Sequence, residues 1–261
     1  MKVIHHVGNK WSNSQKDILA KIGIEVKEDE FSYISLDEDL YKSLKARQVL
    51  GENPSYSFRT EFTKKEVDEA KLLVFEFIKP IGYPQPEDSW EEETFNINSI
   101  CKVCGMGRIQ NKPYRIKKPK LGKKKIFTLT WVYDVLLVEV NFYKTILKPL
   151  GLKANKVFVG KKNDISETLV QLEIPIAKGP FEPNSLIQNN KCESCGEYKF
   201  FPEFAGFFPN VSSKETSPIF LTQEEFGDGG QSYRKIIVTQ ELKNILIENK
   251  VAKWDNFSPI K

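Results

Sequence analysis

The sequence predicts an α+β protein in which two related strand–helix–strand units, residues 96–180 and 181–261, are joined through a four-cysteine zinc knuckle. A mixed α/β region over residues 1–95 precedes them. Two observations carry this fold class: a pair of matching cysteine turns, and a likeness between two stretches one hundred residues apart. A third, the loop-forming run Pro80, Gly82, Pro84 and Pro86 followed by Glu91, Glu92 and Glu93, places the boundary ahead of the first cysteine.

All four cysteines of the 261-residue chain fall into two turns, Cys101-Lys-Val-Cys104-Gly105 and Cys192-Glu-Ser-Cys195-Gly196. Two thiolates separated by two residues grip one metal ion from a single turn, and the glycine that follows tolerates the twist that aims amides at sulfur. Two such turns supply the four sulfurs of a closed tetrahedral zinc site. Disulfides, buried free thiols and a rubredoxin-like iron cage would use the same residues. Disulfides suit oxidising compartments and small cores, whereas this chain is long and its N-terminus lacks an apolar run of signal-peptide length. A redox C-x-x-C wants a helix start beside it, and neither turn has a clear one. Nothing else in the sequence points to electron transfer, so zinc is the expected metal.

Composition sets the frame. Hydrophobic residues make up 40% of the chain, enough for one large core or two modest ones. A net charge of +4 is too mild to indicate nucleic acid on its own. No stretch approaches the ~20 apolar residues of a membrane span, and a reducing, cytoplasmic setting is the default expectation. His5 and His6 are the only histidines, adjacent in sequence, and read as a surface or edge-strand pair rather than a catalytic base.

Along the first region, Ser12 to Ser14 cap a short helix carrying Ile18, Leu19 and Ile22, with Gly23 as its stop. Phe31 to Leu36 alternates like a strand, and Asp37-Glu38-Asp39 opens a helix carrying Leu40 and Leu44, acidic residues suiting a first turn. Thr63-Lys-Lys-Glu66 is a capping-box pattern leading into Val67, Ala70 and Leu73, with Leu72 to Ile78 as an alternative buried strand.

In the second region, Asp134 to Leu147 aligns with Arg234 to Ile247. Each stretch begins with a short strand, Val135 to Val138 and Ile236 to Val238, and continues into an amphipathic helix. The expected buried faces are Phe142, Ile146 and Leu150 in one copy and Leu242, Ile245 and Leu246 in the other. Both return to extended chain, at Lys156 to Val159 and Trp254 to Phe257, and the first copy adds a strand from Thr168 to Ile174. Thr239 is a good helix cap and Glu139 a poorer one. Each copy follows its own cysteine turn, which accounts for the 87 residues between Cys104 and Cys192. Phe31 to Leu44 reads as a third, degenerate strand–helix copy.

Three further features bear on function. Eight of the fourteen residues from Lys112 to Lys125 are basic, with Tyr114 the one aromatic among them, a solvated loop or a clasp for phosphates. Phe200 to Phe208 carries five phenylalanines, a packing patch or a partner-binding surface. Gly227-Asp-Gly-Gly230 lacks the lysine and spacing of a phosphate loop and reads as a tight turn.

The two C-x-x-C-G turns, Cys101 to Gly105 and Cys192 to Gly196, resemble the double-CXXCG family of bacterial proteins. The closing segment Ile236 to Pro259 is similar to the endings of that family and of a group of polymorphic-toxin immunity proteins. The likeness covers mainly residues 96–261. It implies a small cytoplasmic protein that binds and neutralises a cognate secreted toxin, with structural zinc held by Cys101, Cys104, Cys192 and Cys195. Only those four residues carry over; the basic run and the first hundred residues match no pattern of the family.

The expected function is therefore that of a non-enzymatic protein whose partner is another protein, with Glu91 to Glu93, Asp228 or the phenylalanine run as contact surfaces. The alternative is a zinc-ribbon nucleic-acid binder using residues 112–125. For an enzyme the sequence offers little: His6 is followed by Val7 and Gly8, and no proline precedes either cysteine turn, so a zinc deaminase pattern is missing. There is no nucleophile elbow or dinucleotide fingerprint; scattered carboxylates such as Glu61 and Asp68 are what remains.

Overall fold

A computed structural model describes the chain except for residues 28–29, 77, 162–163, 183–188, 203–204 and 212–214. The protein is a mixed α/β structure of several sheets and short helices, in two compact units. One unit takes in Met1–Thr63 and a short segment ending at Gly206; the other comprises Lys64–Pro202 and Phe207–Lys261. The division falls after Thr63, so the boundary expected between residues 95 and 96 lies inside the second unit. The reason is a strand within residues 64–95 that pairs with the end of the chain, as described below.

In the first unit β1 (Lys2–Lys10) leads to helix α1 (Asn13–Lys21), β2 (Phe31–Asp37), α2 (Glu38–Ala46) and β3 (Ser55–Glu61). Ser12 caps α1, with Gln15 closing the reciprocal bond, and Gly23 follows its end with φ of 79°. The sheet order is β2-β1-β3, with β1 antiparallel to both neighbours. Val7, Ile34 and Leu36 from the strands meet Leu19, Leu44, Val49 and Leu50 in one core. His5 and His6 thus sit on the central strand rather than an edge, and His5 is buried.

The second unit runs α3 (Lys64–Glu69), β4 (Leu72–Phe75), α4 (Trp90–Thr94), β5 (Arg115–Ile116), β6 (Ile126–Leu129), β7 (Val132–Glu139), α5 (Val140–Phe142), β8 (Lys153–Val159) and β9 (Asp164–Glu173). It continues through β10 (Asn189–Lys191), β11 (Tyr198–Phe200), β12 (Ile219–Leu221), β13 (Glu225–Phe226), β14 (Ile236–Thr239), α6 (Gln240–Glu248) and β15 (Phe257–Pro259). Among the described residues these strands form three sheets: β5-β8-β9-β7-β6, β12-β14-β4-β15 and the small β10-β11-β13. Leu72 to Phe75 takes the strand alternative because Leu73, Val74 and Phe75 are buried between β14 and β15.

One connection recurs three times. The passages β2–α2–β3, β7–α5–β8 and β14–α6–β15 each leave a strand, cross a helix and return parallel to the start. A single antiparallel strand fills the gap between: β1, β9 and β4 respectively. In each the last residue of the first strand caps the helix. Asp37 Oδ1 accepts from the Leu40 amide at 2.8 Å and Thr239 Oγ1 from Leu242 at 3.3 Å. Glu139, expected to cap poorly, straddles two amides, those of Asn141 and Phe142, at 2.8 and 2.7 Å. Each passage also closes on a left-handed residue: Gln48, Gly151 and Lys250, at φ of 57°, 80° and 58°.

The middle passage differs by one residue. Cap and closing residue are eleven positions apart in the first and third passages and twelve in the second. The extra residue is taken up by a π-helical turn, Tyr143–Leu147, running into a 3-10 turn, Lys148–Leu150. Of the expected face Phe142, Ile146 and Leu150, Phe142 is buried as expected, but Leu147 takes the next inward place and Ile146 and Leu150 are only half-buried. At the chain's end, the expected extended stretch Trp254 to Phe257 is a 3-10 turn, Trp254–Asn256, before β15.

Candidate metal centre

The two cysteine turns have the same backbone. The amide of Gly105 donates to the Cys101 carbonyl and that of Gly196 to the Cys192 carbonyl, both at 2.8 Å. The Cys101 amide donates to the Met106 carbonyl and the Cys192 amide to that of Glu197, both at 2.9 Å. Gly105 and Gly196 stand at φ of 74° and 77°, a conformation that costs glycine nothing. This folding aims backbone amides at sulfur. Amides of Cys104 and Val103 hold the Cys101 thiol down at about 6, and those of Cys195 and Ser194 lower the Cys192 thiol in the same way. Burial pushes the Cys104 thiol up to about 12.

The four sulfurs come together. Cys101 Sγ lies 3.8 Å from Cys192 Sγ, Cys104 Sγ lies 3.7 Å from Cys195 Sγ, and all four are within 4.8 Å of one another. A tetrahedral site with metal–sulfur bonds of about 2.3 Å has sulfur–sulfur edges of about 3.8 Å. These separations exceed the ~2.0 Å of a disulfide, and all four cysteines are free. Two thiols, Cys101 and Cys192, are held low and two, Cys104 and Cys195, are raised, the split expected where four thiols crowd together; a divalent cation would favour the thiolate form of all four. The four cysteines are compatible with a metal site on both counts.

Residues at matching positions of the two copies meet one another. Cys101 faces Cys192 and Cys104 faces Cys195. Tyr133 and Tyr233 bring their rings to 5.1 Å, and Asp134 Oδ2 accepts from the Arg234 amide at 3.1 Å. Like meeting like is the signature of an isologous contact.

The loop Gly227–Gly230 turns β13 back toward Tyr233, with the Gln231 amide donating to the Asp228 carbonyl at 3.0 Å. It lies against the first cysteine turn: a Cβ on Gly105 would stand 2.0 Å from the Gly230 carbonyl oxygen. Lys199 of β11, which sequence reasoning passed over, is buried there and donates to the carbonyls of Cys104, Gly229 and Gln231. A lysine satisfied by backbone carbonyls leaves no mark in sequence spacing.

Other sequence-singled residues are engaged elsewhere. Glu91 pairs with Arg108 and Glu93 with Arg115. In the basic run Lys117 pairs with Glu87, and Lys125 donates to the Asn249 carbonyl, while Lys118, Lys120, Lys123 and Lys124 stand exposed on the loop between β5 and β6. Phe200 and Phe208 pack with Phe181 and Phe226 in an aromatic cluster, in which Phe208 is fully buried and Phe200 half-buried; residue 204 of that run lies outside the described residues. His5 is held in the first unit by Glu38 and Tyr56 and is not among the four residues whose ligand atoms cluster. Among the described residues no helix is long and apolar enough to cross a membrane.

Fold and site together define an α/β protein with a clustered four-cysteine centre. No family model, curated protein or solved structure matches the chain.

Proposed function

We propose that the chain is a non-enzymatic protein-binding protein whose two strand–helix–strand units are pinned together by one structural zinc ion, and that it acts as an immunity-type antagonist of a secreted toxin. The observation that carries the architectural part is the meeting of like with like at the cysteines and at Tyr133 and Tyr233. Four thiolates fill a tetrahedral ion's coordination, leaving no open position for water, so Cys101, Cys104, Cys192 and Cys195 favour a structural over a hydrolytic role. Zinc would supply a fixed cross-link between turns 91 residues apart in sequence. The binding part is supported by exposed apolar side chains around the first turn, Ile97, Val103 and Ile109, at 45%, 62% and 59% exposure. The toxin part rests on the resemblance of the C-x-x-C-G turns.

Co-expression with the product of the adjacent gene tests this reading. The expected result is a stable complex and relief of that product's toxicity, both weakened by Val103→Glu and Ile109→Glu. Absence of both complex and protection overturns it. The exposed lysines Lys118, Lys120, Lys123 and Lys124 favour one alternative, nucleic-acid binding. That reading requires affinity that falls steeply with salt and on neutralising those four residues.

A further inference from the structure

Lys199 is 7% exposed, and among the described residues no carboxylate pairs with it. Its ammonium has three donors, and three neutral carbonyls take them: Cys104 at 2.8 Å, Gln231 at 3.0 Å and Gly229. The hydrogen bonds are complete, yet the positive charge is buried without a counter-ion of its own, a costly arrangement unless negative charge lies close. One of its acceptors belongs to a cysteine of the four-sulfur cluster. Four thiolates around a divalent cation carry a net charge of −2, which is the kind of field that would favour a buried cation. Geometry adds a second role. Lys199 follows the second cysteine turn in sequence, on β11, but binds the first turn and the Gly227–Gly230 loop. That loop already abuts Gly105 too closely for any side chain to intervene.

We infer that Lys199 is a positioning residue of the metal centre. It clamps the first cysteine turn and the glycine loop to the strand that carries the second turn, and its charge offsets that of the metal–thiolate cluster. This rests on the metal-centre reading and assigns to it a residue outside the ligand set. Partners that orient ligands in this way typically change metal affinity by about 10- to 100-fold when removed.

The test is zinc competition against a chromophoric chelator, using reduced full-length protein, in wild type, Lys199→Met and Lys199→Gln. Both variants are expected to lose about 10- to 100-fold in affinity. Their cobalt forms should show shifted thiolate charge-transfer bands, a change that altered packing far from the sulfurs would not produce. Wild-type affinity in both variants overturns the inference. Loss in Lys199→Met with full affinity in Lys199→Gln overturns the charge assignment. If Lys199→Met does not fold, the Gln variant decides. Failure of the wild type itself to bind zinc overturns the metal-centre reading as well, a result distinct from equal binding by all three.

Discussion

At the residue scale the cysteines and one histidine show how backbone and charge set chemistry. Replacing any of Cys101, Cys104, Cys192 or Cys195 by serine removes a thiolate that a soft-ligand site requires. Elemental analysis of reduced protein is expected to show one zinc per chain in wild type and near none in each variant. In the first unit, the His5 ring stacks on Tyr41 at 4.0 Å, with Tyr56 Oη 2.8 Å from Nδ1 and the Glu38 carboxylate at Nε2. Lys42, then His5, hold the Glu38 carboxyl below its ordinary value of 4.5. A carboxyl held low in the fold contributes stability above its unfolded pKa and loses it as pH falls through the folded one. The first unit should therefore weaken below pH 4.5, and Glu38→Gln should flatten that part of the acid dependence. Exchange protection of the β1 amides across that window is the measurement; an unchanged profile would place the acid sensitivity on another carboxylate.

At the element scale the three strand–helix–strand passages make separable predictions. Removing the cap with Asp37→Ala, Glu139→Ala or Thr239→Ala is expected to cost about 1 kcal/mol each in chemical denaturation, since each leaves helix-start amides without an acceptor. The π-helical turn gives a sharper contrast. Deleting exposed Thr145 restores the eleven-residue spacing of the other passages and keeps Phe142 and Leu147 inward, so the protein should stay folded. Deleting Asn244 from α6 turns every later residue by about 100°, takes Leu246 out of the core, and should abolish cooperative unfolding of the second unit.

These passages also show what sequence could and could not reveal. Strand followed by capped helix was legible because Ile236–Thr239 is a short β-branched run and Gln240–Glu248 carries Leu242, Ile245 and Leu246 at helical spacing. The one-residue insertion after Phe142 was not, because π and α turns use the same residue types. The cysteine turns were legible from local spacing alone. The place of β4 was hidden, since nothing in Leu72–Phe75 names partners near the other end of the chain. Lys199 was hidden too, as its acceptors are backbone carbonyls that every residue possesses.

At the scale of the whole molecule, the proposed zinc pin would act on one unit only. All four cysteines belong to the second unit, while the core of Val7, Leu19, Ile34, Leu36 and Leu44 belongs to the first. Stripping the metal with a chelator under reducing conditions is expected to lower the unfolding temperature of the second unit and to leave β1 exchange rates unchanged. Uniform loss of protection would instead mean that the two units unfold as one.

The position of β4 has a consequence for synthesis. Its four residues leave the ribosome well before their neighbours in the sheet, β14 and β15, which lie about 160 and about 185 residues downstream. At roughly 5–20 residues per second, Leu73, Val74 and Phe75 wait on the order of ten to thirty seconds before anything can cover them. For that interval the nascent chain carries a bare apolar strand with both edges open, a target for chaperones and for neighbouring chains alike. The yield of soluble protein should therefore respond to translation speed more than its equilibrium stability would suggest.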